Sequence, residues 1–346
     1  MTTTRPQPAP NRATSTPTQM RAIVQDTYGN ADTLHFAEVP VPTPGAGEVL
    51  LAVHAAGLNR GTWHLMTGLP YVMRLMGFGL RRPAQRTPGT DVAGRIIAVG
   101  EGVDDLTVGD EVMGIAVGAF APYAIARAEK LVLRPATLPV EKAAAVAISG
   151  ITAYQAVHVA GRVTAGQRVL VLGASGGVGA WVTQLAHAAG AHVTGVASAT
   201  KAQFVLELGA DRVIDYATSE PTAGTDRYDV IIDMGGRRPL RKLRRILTKT
   251  GTLVIVGGEG GGRIGGGFGR QLLAAALSPL VSQQLVMVMS NEHRDVLEPV
   301  AAAIAQGTIT PAVTSSYPLD SVVDAMTDLA EGRVSGSAVL RIGEES

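Results

Sequence analysis

Two patterns of apolar residues divide the chain. From Met20 to about Leu138, the β-branched runs "RAIVQ", "EVLLAVHAAGL", "DVAGRIIAVGEG" and "DEVMGIAV" are separated by turn-forming stretches such as "PTPGAGE" and "TVGD". Short strands punctuated by Gly and Pro predict a compact all-β barrel. From about Ala144 the texture changes. "RVLVLG", "HVTGVAS", "RVIDY", "YDVIIDM" and "TLVIVGG" are apolar almost throughout, and "GGVGAWVTQLAHAAG", "KAQFVLELGA" and "PLRKLRRILTKTG" lie between them. Strands apolar on both faces that alternate with amphipathic helices predict a doubly wound α/β domain, its parallel sheet covered on both sides. A helical stretch from Asn291 to about Gln306 and a mixed tail follow, and the tail, lacking a partner of its own, is expected to pack on the first domain.

Composition narrows the chemistry. Hydrophobic residues make up 46% and charged residues 17%, which describes a folded chain, and 346 residues favour two domains. A formal charge of +1 provides no long-range attraction to nucleic acid or an anionic membrane, so a small-molecule partner is expected. The absence of cysteine removes disulfides, a thiolate nucleophile and every zinc site that needs sulfur. No run approaches the ~20 apolar residues that span a bilayer, and a cytoplasmic location is expected. The opening "MTTTRPQPAPNRATSTPTQ" has no Asp or Glu, and Pro6, Pro8, Pro10 and Pro17 preclude the amphipathic helix of a transit signal. A disordered leader is expected there.

The strongest local signal is "GASGGVG", Gly173 to Gly179, between a buried strand and a helix that starts at about Gly177. In a G-x-G-x-x-G frame Ala174 takes the first place, Gly176 the second and Gly179 the third. The second glycine lets backbone approach a pyrophosphate, the third lets helix and strand pack closely, and the helix N-terminus offers N–H groups to phosphate. Ala174, Ser175, Gly176, Gly177, Val178 and Gly179 are therefore the expected dinucleotide cradle. The next strand runs into "ASATK", with no carboxylate before Glu207 to accept from ribose hydroxyls. Ser198 and Lys201 suit a 2′-phosphate, so NADPH is expected rather than NADH.

With these residues in hand, the chain resembles the zinc-independent quinone oxidoreductase branch of the medium-chain dehydrogenase/reductase superfamily. "EVPVPTPGAGEVLLAVHAAGLN", "PGTDVAGRIIAVGEGVDDLTVGDEVMG", "GAFAPYA", "ISGITAYQA", "GQRVLVLGASGGVG" and "LGADRVIDY" carry the resemblance in order from Met20 nearly to the C-terminus. It implies a GroES-like β-barrel catalytic domain built from both chain ends and a Rossmann domain, with the site in the cleft between them. The expected division is a leader over 1–19, the GroES-like domain over 20–144, the Rossmann NADP-binding domain over 145–290 and a return to the catalytic domain over 291–346. The resemblance also implies 2′-phosphate contacts at Ser198, Lys201 and Tyr216, and nicotinamide-side contacts at Asn59, Thr152, Val256, Gly257 and Gly258. Where zinc-dependent relatives hold metal this chain has Asn59, Thr90 and Ile148, so no metal is expected. Two departures stand out: "NRGTW" replaces a frequent "NPxDW", which puts Thr62 where an Asp is common, and "SGS" at Ser335 to Ser337 replaces a frequent "RGK".

Hydride transfer leaves negative charge on the acceptor. Without a metal, acceptors that delocalise this charge are favoured: quinones, enones and enals. The candidate donors are the Asn59 amide and the Tyr71 and Tyr154 hydroxyls, and His64 is the candidate proton relay, with water as the other proton source. Asn59 ranks first. The expected activity is reduction of quinones or α,β-unsaturated carbonyls by NADPH. Two alternatives stay open: a biosynthetic enoyl reductase or cyclising enzyme of specialised metabolism, and a non-enzymatic NADPH-binding protein. "RRPLRKLRRIL", Arg237 to Leu247, reads as a solvated amphipathic helix on Leu240, Leu243 and Leu247. "GGEGGGRIGGGFG", Gly257 to Gly269, reads as a mobile lid over the cofactor. "LVMVMS", Leu285 to Ser290, reads as the last strand of the sheet, whose apolar edge is expected to pair in a homodimer.

Overall fold

A computed structural model describes residues 16–258, 262–288 and 290–343. Most of the expected leader lies outside these residues. The first domain opens with the antiparallel pair β1 (Gln19–Val24) and β2 (His35–Pro40). It continues through β3 (Glu48–Leu58), α1 (Arg60–Thr67), β4 (Asp91–Val99), β5 (Glu111–Ile115), β6 (Tyr123–Arg127) and β7 (Leu131–Leu133). β3 is buried along nearly its whole length because it is paired on both edges. β4 runs along one edge, while β6 covers Glu48 to Ala52 and the C-terminal strand covers Ala55 to Leu58 on the other.

Two short helices, α2 (Val140–Ala143) and α3 (Ala147–Tyr154), lead into the second domain. There β8 (Arg168–Leu172), α4 (Gly177–Ala188), β9 (His192–Ala197), α5 (Ala202–Glu207), β10 (Arg212–Asp215) and β11 (Tyr228–Asp233) follow in alternation. α6 (Leu240–Ile246), β12 (Leu247–Ile255), α7 (Phe268–Leu277) and β13 (Gln284–Met287) complete it. All pairs are parallel, in the order β10-β9-β8-β11-β12-β13. The order reverses between β8 and β11, and ligands of such sheets bind beyond the strand ends at that reversal. Alternation along β8 feeds two cores. Val169 and Val171 face Trp181 of α4 and Ile151 of α3, while Leu170 and Leu172 face Leu240, Leu243 and Ile246 of α6. The expected arginine-rich helix is thus an amphipathic element of the sheet's second face, with Leu247 already in β12.

The chain ends with α8 (Arg294–Ala305), β14 (Val313–Pro318), α9 (Val322–Ala330) and β15 (Ser337–Arg341). β15 pairs with β3 and completes a sheet of order β14-β15-β3-β4-β5-β7, with β6 also on β3. α8 follows the expected boundary at Asn291. Leu297, Val300 and Ile304 join the core that holds Trp181 and Ile151, and a Cβ on Gly150 would lie 3.0 Å from Val300. The helix packs on the α3–α4 layer, while at its start Glu292 pairs with Lys130 and Arg294 with Asp105 of the first domain.

Candidate functional site

The glycine turn follows directly from the end of β8. Gly173 has φ +88°, and its carbonyl accepts from the Gly176 N–H at 3.2 Å. A Cβ on Gly179 would lie 2.1 Å from that carbonyl oxygen, so the third glycine is a steric requirement of helix against strand. At Gly176 the nearest atom to a Cβ would be the same oxygen at 3.6 Å, which leaves that side open for a ligand. Gly176 caps α4 without a side-chain hydrogen bond, so the first N–H groups of the helix are offered outward from the turn. The surrounding walls come from both domains: a Cβ on Gly177 would meet Ser149 Oγ of α3 at 3.3 Å and Ser337 Oγ of β15 at 3.6 Å. The return loop is tied across the turn, with Gly336 N–H donating to the Ser175 carbonyl at 2.8 Å.

The three residues expected at a 2′-phosphate lie at the ends of neighbouring strands. Ala197 pairs with Asp215, which places Ser198 and Tyr216 side by side, and Tyr216 is exposed. Ser198 Oγ is 3.0 Å from Thr200 Oγ1. Lys201 is engaged: its ammonium donates to the carbonyls of Gly332 at 2.8 Å and Val334 at 2.6 Å, and burial pulls its pKa below the ordinary lysine value. A ligand phosphate here would take over an ammonium that now holds the return loop.

On the other side of the reversal, the N–H groups of Val256 and Gly257 donate to the Asp233 carbonyl at 3.0 and 3.3 Å. A Cβ on Gly257 would lie 1.9 Å from the Met234 carbonyl oxygen, and one on Gly258 would lie 2.9 Å from Gly267 Cα. Thr152 turns its hydroxyl back onto the Ile148 carbonyl at 2.6 Å. Sequence reading missed Asp233 and Arg270. Asp233 is buried at the end of β11, accepts from the Gly236 N–H at 3.0 Å and pairs with Arg270 of α7, so it braces the Val256–Gly258 wall. An acidic residue ending a core strand was the available signal.

Asn59 requires a correction. Its Oδ1 accepts from the Thr62 N–H at 2.8 Å and caps α1. Its Nδ2 donates to Asp91 Oδ2 at 2.8 Å and to Thr90 Oγ1 at 3.3 Å. Both hydrogens of the first-ranked amide are therefore directed onto protein acceptors. Asp91, which sequence reading passed over within "PGTDVAG", joins the domains: its Oδ1 accepts from the Ile148 N–H in the first turn of α3 at 2.8 Å. Burial pushes its pKa up to about 7 against the opposing pull of the Ile148 and Asn59 hydrogen bonds. Because Thr90 Oγ1 accepts from Asn59, its own O–H remains available to donate elsewhere.

The other three catalytic candidates have local partners of their own. Tyr154 lies about 240° round the helix from Ile148, with its ring 4.8 Å from that of His158. His64 Nδ1 lies 2.8 Å from the Leu69 carbonyl, and its ring meets Trp63 edge-on. Tyr71 is exposed on a lobe between α1 and β4, where its backbone N–H donates to the Arg263 carbonyl at 2.8 Å. That bond also revises the glycine-rich lid. Residues 259–261 of the expected loop lie outside the described residues. Residues 262–267 are anchored to the first domain, and Phe268 already begins α7.

The positions that would hold zinc do not fit it. Asn59 Oδ1 is occupied as a helix cap, Nδ2 is not a ligand, and Ile148 offers no side-chain donor. Among the described residues no group of three or more His, Cys, Asp or Glu side chains is placed to bind a metal. No helix among them is long and apolar enough to cross a membrane.

Comparison with known proteins agrees with this architecture. Residues 45–136 match the alcohol dehydrogenase GroES-like domain family, and residues 208–340 match a family described as zinc-binding dehydrogenase. A chloroplast envelope quinone oxidoreductase homolog from Arabidopsis thaliana is 31% identical over 93% of this chain and 98% of its own. The solved quinone oxidoreductase of Coxiella burnetii superposes with a TM-score of 0.82 at 26% identity, covering 94% of this chain and 100% of its own. A mycobacterial protein solved in complex with NADPH superposes with a TM-score of 0.78 at 27% identity, covering 93% and 99%.

Proposed function

Because the chain belongs to the quinone oxidoreductase branch of the medium-chain dehydrogenase/reductase superfamily, we propose that it is an NADPH-dependent reductase of quinones or α,β-unsaturated carbonyls that needs no metal. The observation that carries this reading is the Thr90–Asn59–Asp91 network: Asn59 and Thr90, at two of the three positions where zinc-dependent relatives hold metal, are hydrogen-bonded to each other, Asp91 ties Asn59 to the backbone of Ile148 at the third, and Ile148 has no side-chain donor for a metal. The glycine turn with its open face at Gly176 would hold the pyrophosphate, Ser198, Lys201 and Tyr216 the 2′-phosphate, and Thr152 with Val256 to Gly258 the nicotinamide side. When bound, the reduced nicotinamide supplies the hydride.

The remaining work falls to side chains. Asp91 orients the Asn59 amide, Asn59 donates to Thr90, and the Thr90 hydroxyl is thereby aimed as a donor toward oxygen charge developing on the acceptor. A delocalised enolate or hydroquinone anion needs far less stabilisation than a localised alkoxide, so a neutral hydroxyl suffices for it, which is why conjugated acceptors are favoured. His64 or water returns the proton. A homodimer joined through the β13 edge, where Met287 is exposed, and a cytoplasmic location complete the proposal.

The test is NADPH oxidation by chelator-treated protein over quinones, enals, enones and saturated ketones. Turnover of the conjugated acceptors alone is expected. Comparable turnover of saturated ketones, or activity that vanishes on chelation and returns with zinc, would overturn the reading.

A further inference from the structure

The lobe between α1 and β4 has a fixed base and an unprotected outer face. At the base, Tyr28 Oη donates to the carbonyls of Phe78 and Gly79 at 2.7 and 2.6 Å, and the Arg74 guanidinium lies 4.1 Å from the Tyr28 ring. Arg74 Nε also donates to the Gly68 carbonyl at 2.9 Å. The second domain adds a strip alongside, through Tyr71 N–H to Arg263 and Val72 N–H to the Ile264 carbonyl at 3.1 Å. On the outside, Leu75 is 76% exposed, Met76 59%, Phe78 41%, Leu80 64% and Ile264 76%. Five large apolar side chains on two segments held together by hydrogen bonds form the kind of surface that a protein keeps for a partner.

Charge identifies that partner. Residues 71–88 contain Arg74, Arg81, Arg82 and Arg86 and no Asp or Glu, and residues 262–288 contain Arg263 and Arg270 and no acid. Arg86 is paired with Asp26 and Arg270 with Asp233. Arg81, Arg82 and Arg263 are exposed and form no ion pair among the described residues. Asp26, already paired with Arg86 and near Arg82, is the acid in contact with these arginines among the described residues, so a second copy docked by two-fold symmetry would bring an excess of arginines face to face. Phosphate headgroups over an acyl layer satisfy both features at once.

We propose that this lobe is a peripheral docking surface for an anionic lipid bilayer, with Leu75, Met76, Phe78 and Leu80 entering the headgroup–acyl boundary and Arg81, Arg82 and Arg263 meeting lipid phosphates. The inference goes beyond the reductase reading and stands without it. Its test is flotation of the full chain with vesicles of phosphatidylcholine alone or mixed with phosphatidylglycerol, at low and high salt. Binding is expected only to the mixed vesicles, with release at high salt. Arg81→Ser combined with Arg82→Ser should weaken binding about thirtyfold, and Leu75→Glu should abolish it, while melting temperature and turnover of a water-soluble quinone stay unchanged. No binding to mixed vesicles overturns the proposal. So does equal binding to both vesicle types, and so does a dimer that Leu75→Glu converts to monomer.

Discussion

The two glycine-rich stretches of this chain have similar composition and opposite physics. In Gly173 to Gly179 the third glycine is demanded by a carbonyl oxygen 2.1 Å from where its Cβ would be. In the 262–269 part of the second stretch, Gly262, Gly265 and Gly269 have nothing within 4 Å of that position. The first set of glycines lets backbone approach backbone, and the second lies where a side chain would meet nothing. Only the ends of the second stretch resemble the first: Gly258 meets Gly267, and a Cβ on Gly266 would lie 2.8 Å from Pro70. Glycine content therefore marks either a sterically required cradle or a stretch with room for side chains, and neighbouring atoms decide which.

The most severe test of this contrast is Gly179→Ala. The added methyl collides with the Gly173 carbonyl, so the substitution should cost about 3 kcal/mol of stability and remove NADPH binding, read by chemical denaturation and fluorescence titration. Wild-type affinity in this variant would mean that the turn is not a steric lock.

Next comes the anchor of the wall facing the turn. Asp91 holds the first turn of α3, and Ser149 follows Ile148 beside Gly177. The Asp91 pKa is raised to about 7, so the folded state keeps a proton that the unfolded chain releases at its ordinary value. The stabilisation linked to this group is complete below about pH 4 and is lost as pH rises through about 7, with a slope of at most ~1.4 kcal/mol per pH unit. Asp91→Asn should flatten that part of the stability profile measured by denaturation across pH. An unchanged slope would place the titration elsewhere.

A smaller effect is expected at Lys201. Lys201→Ala should weaken NADPH by roughly tenfold to a hundredfold and leave NADH within about twofold, read from the two dissociation constants. Equal losses for both would show that the lysine serves only to hold Gly332 and Val334. The smallest effect is reserved for the free glycines. Gly262→Ala or Gly265→Ala should change stability by no more than about 1 kcal/mol, in the stabilising direction, while slowing turnover if the segment must open between cycles. A large destabilisation would make this stretch a second cradle.

Sequence reading was accurate where the forces are local. β3 spans the residues of "EVLLAVHAAGL", and α4 starts at Gly177 as its glycines and apolar spacing require. The leucines of α6 were legible in the same way, since three-and-four spacing is a property of neighbours in sequence. Side-chain partners were not legible. The partners of Asn59, Thr90 and Asp91, are distant in sequence, and the carbonyls that take Lys201 are further away still. The lobe from Tyr71 to Leu80 matched neither periodicity, so its exposed face emerged only once Tyr28 and Arg263 were seen to hold it.

Alternation of apolar residues, turn chemistry and the steric demand of single glycines are set by short stretches of chain, and these by themselves determined the parallel sheet, the barrel strands and the glycine turn. The tertiary structure alone decided which hydrogen-bonding groups remain available for chemistry. A donor's freedom depends on what the fold brings within about 3 Å of it, and residues far apart in sequence meet there only once the chain has folded.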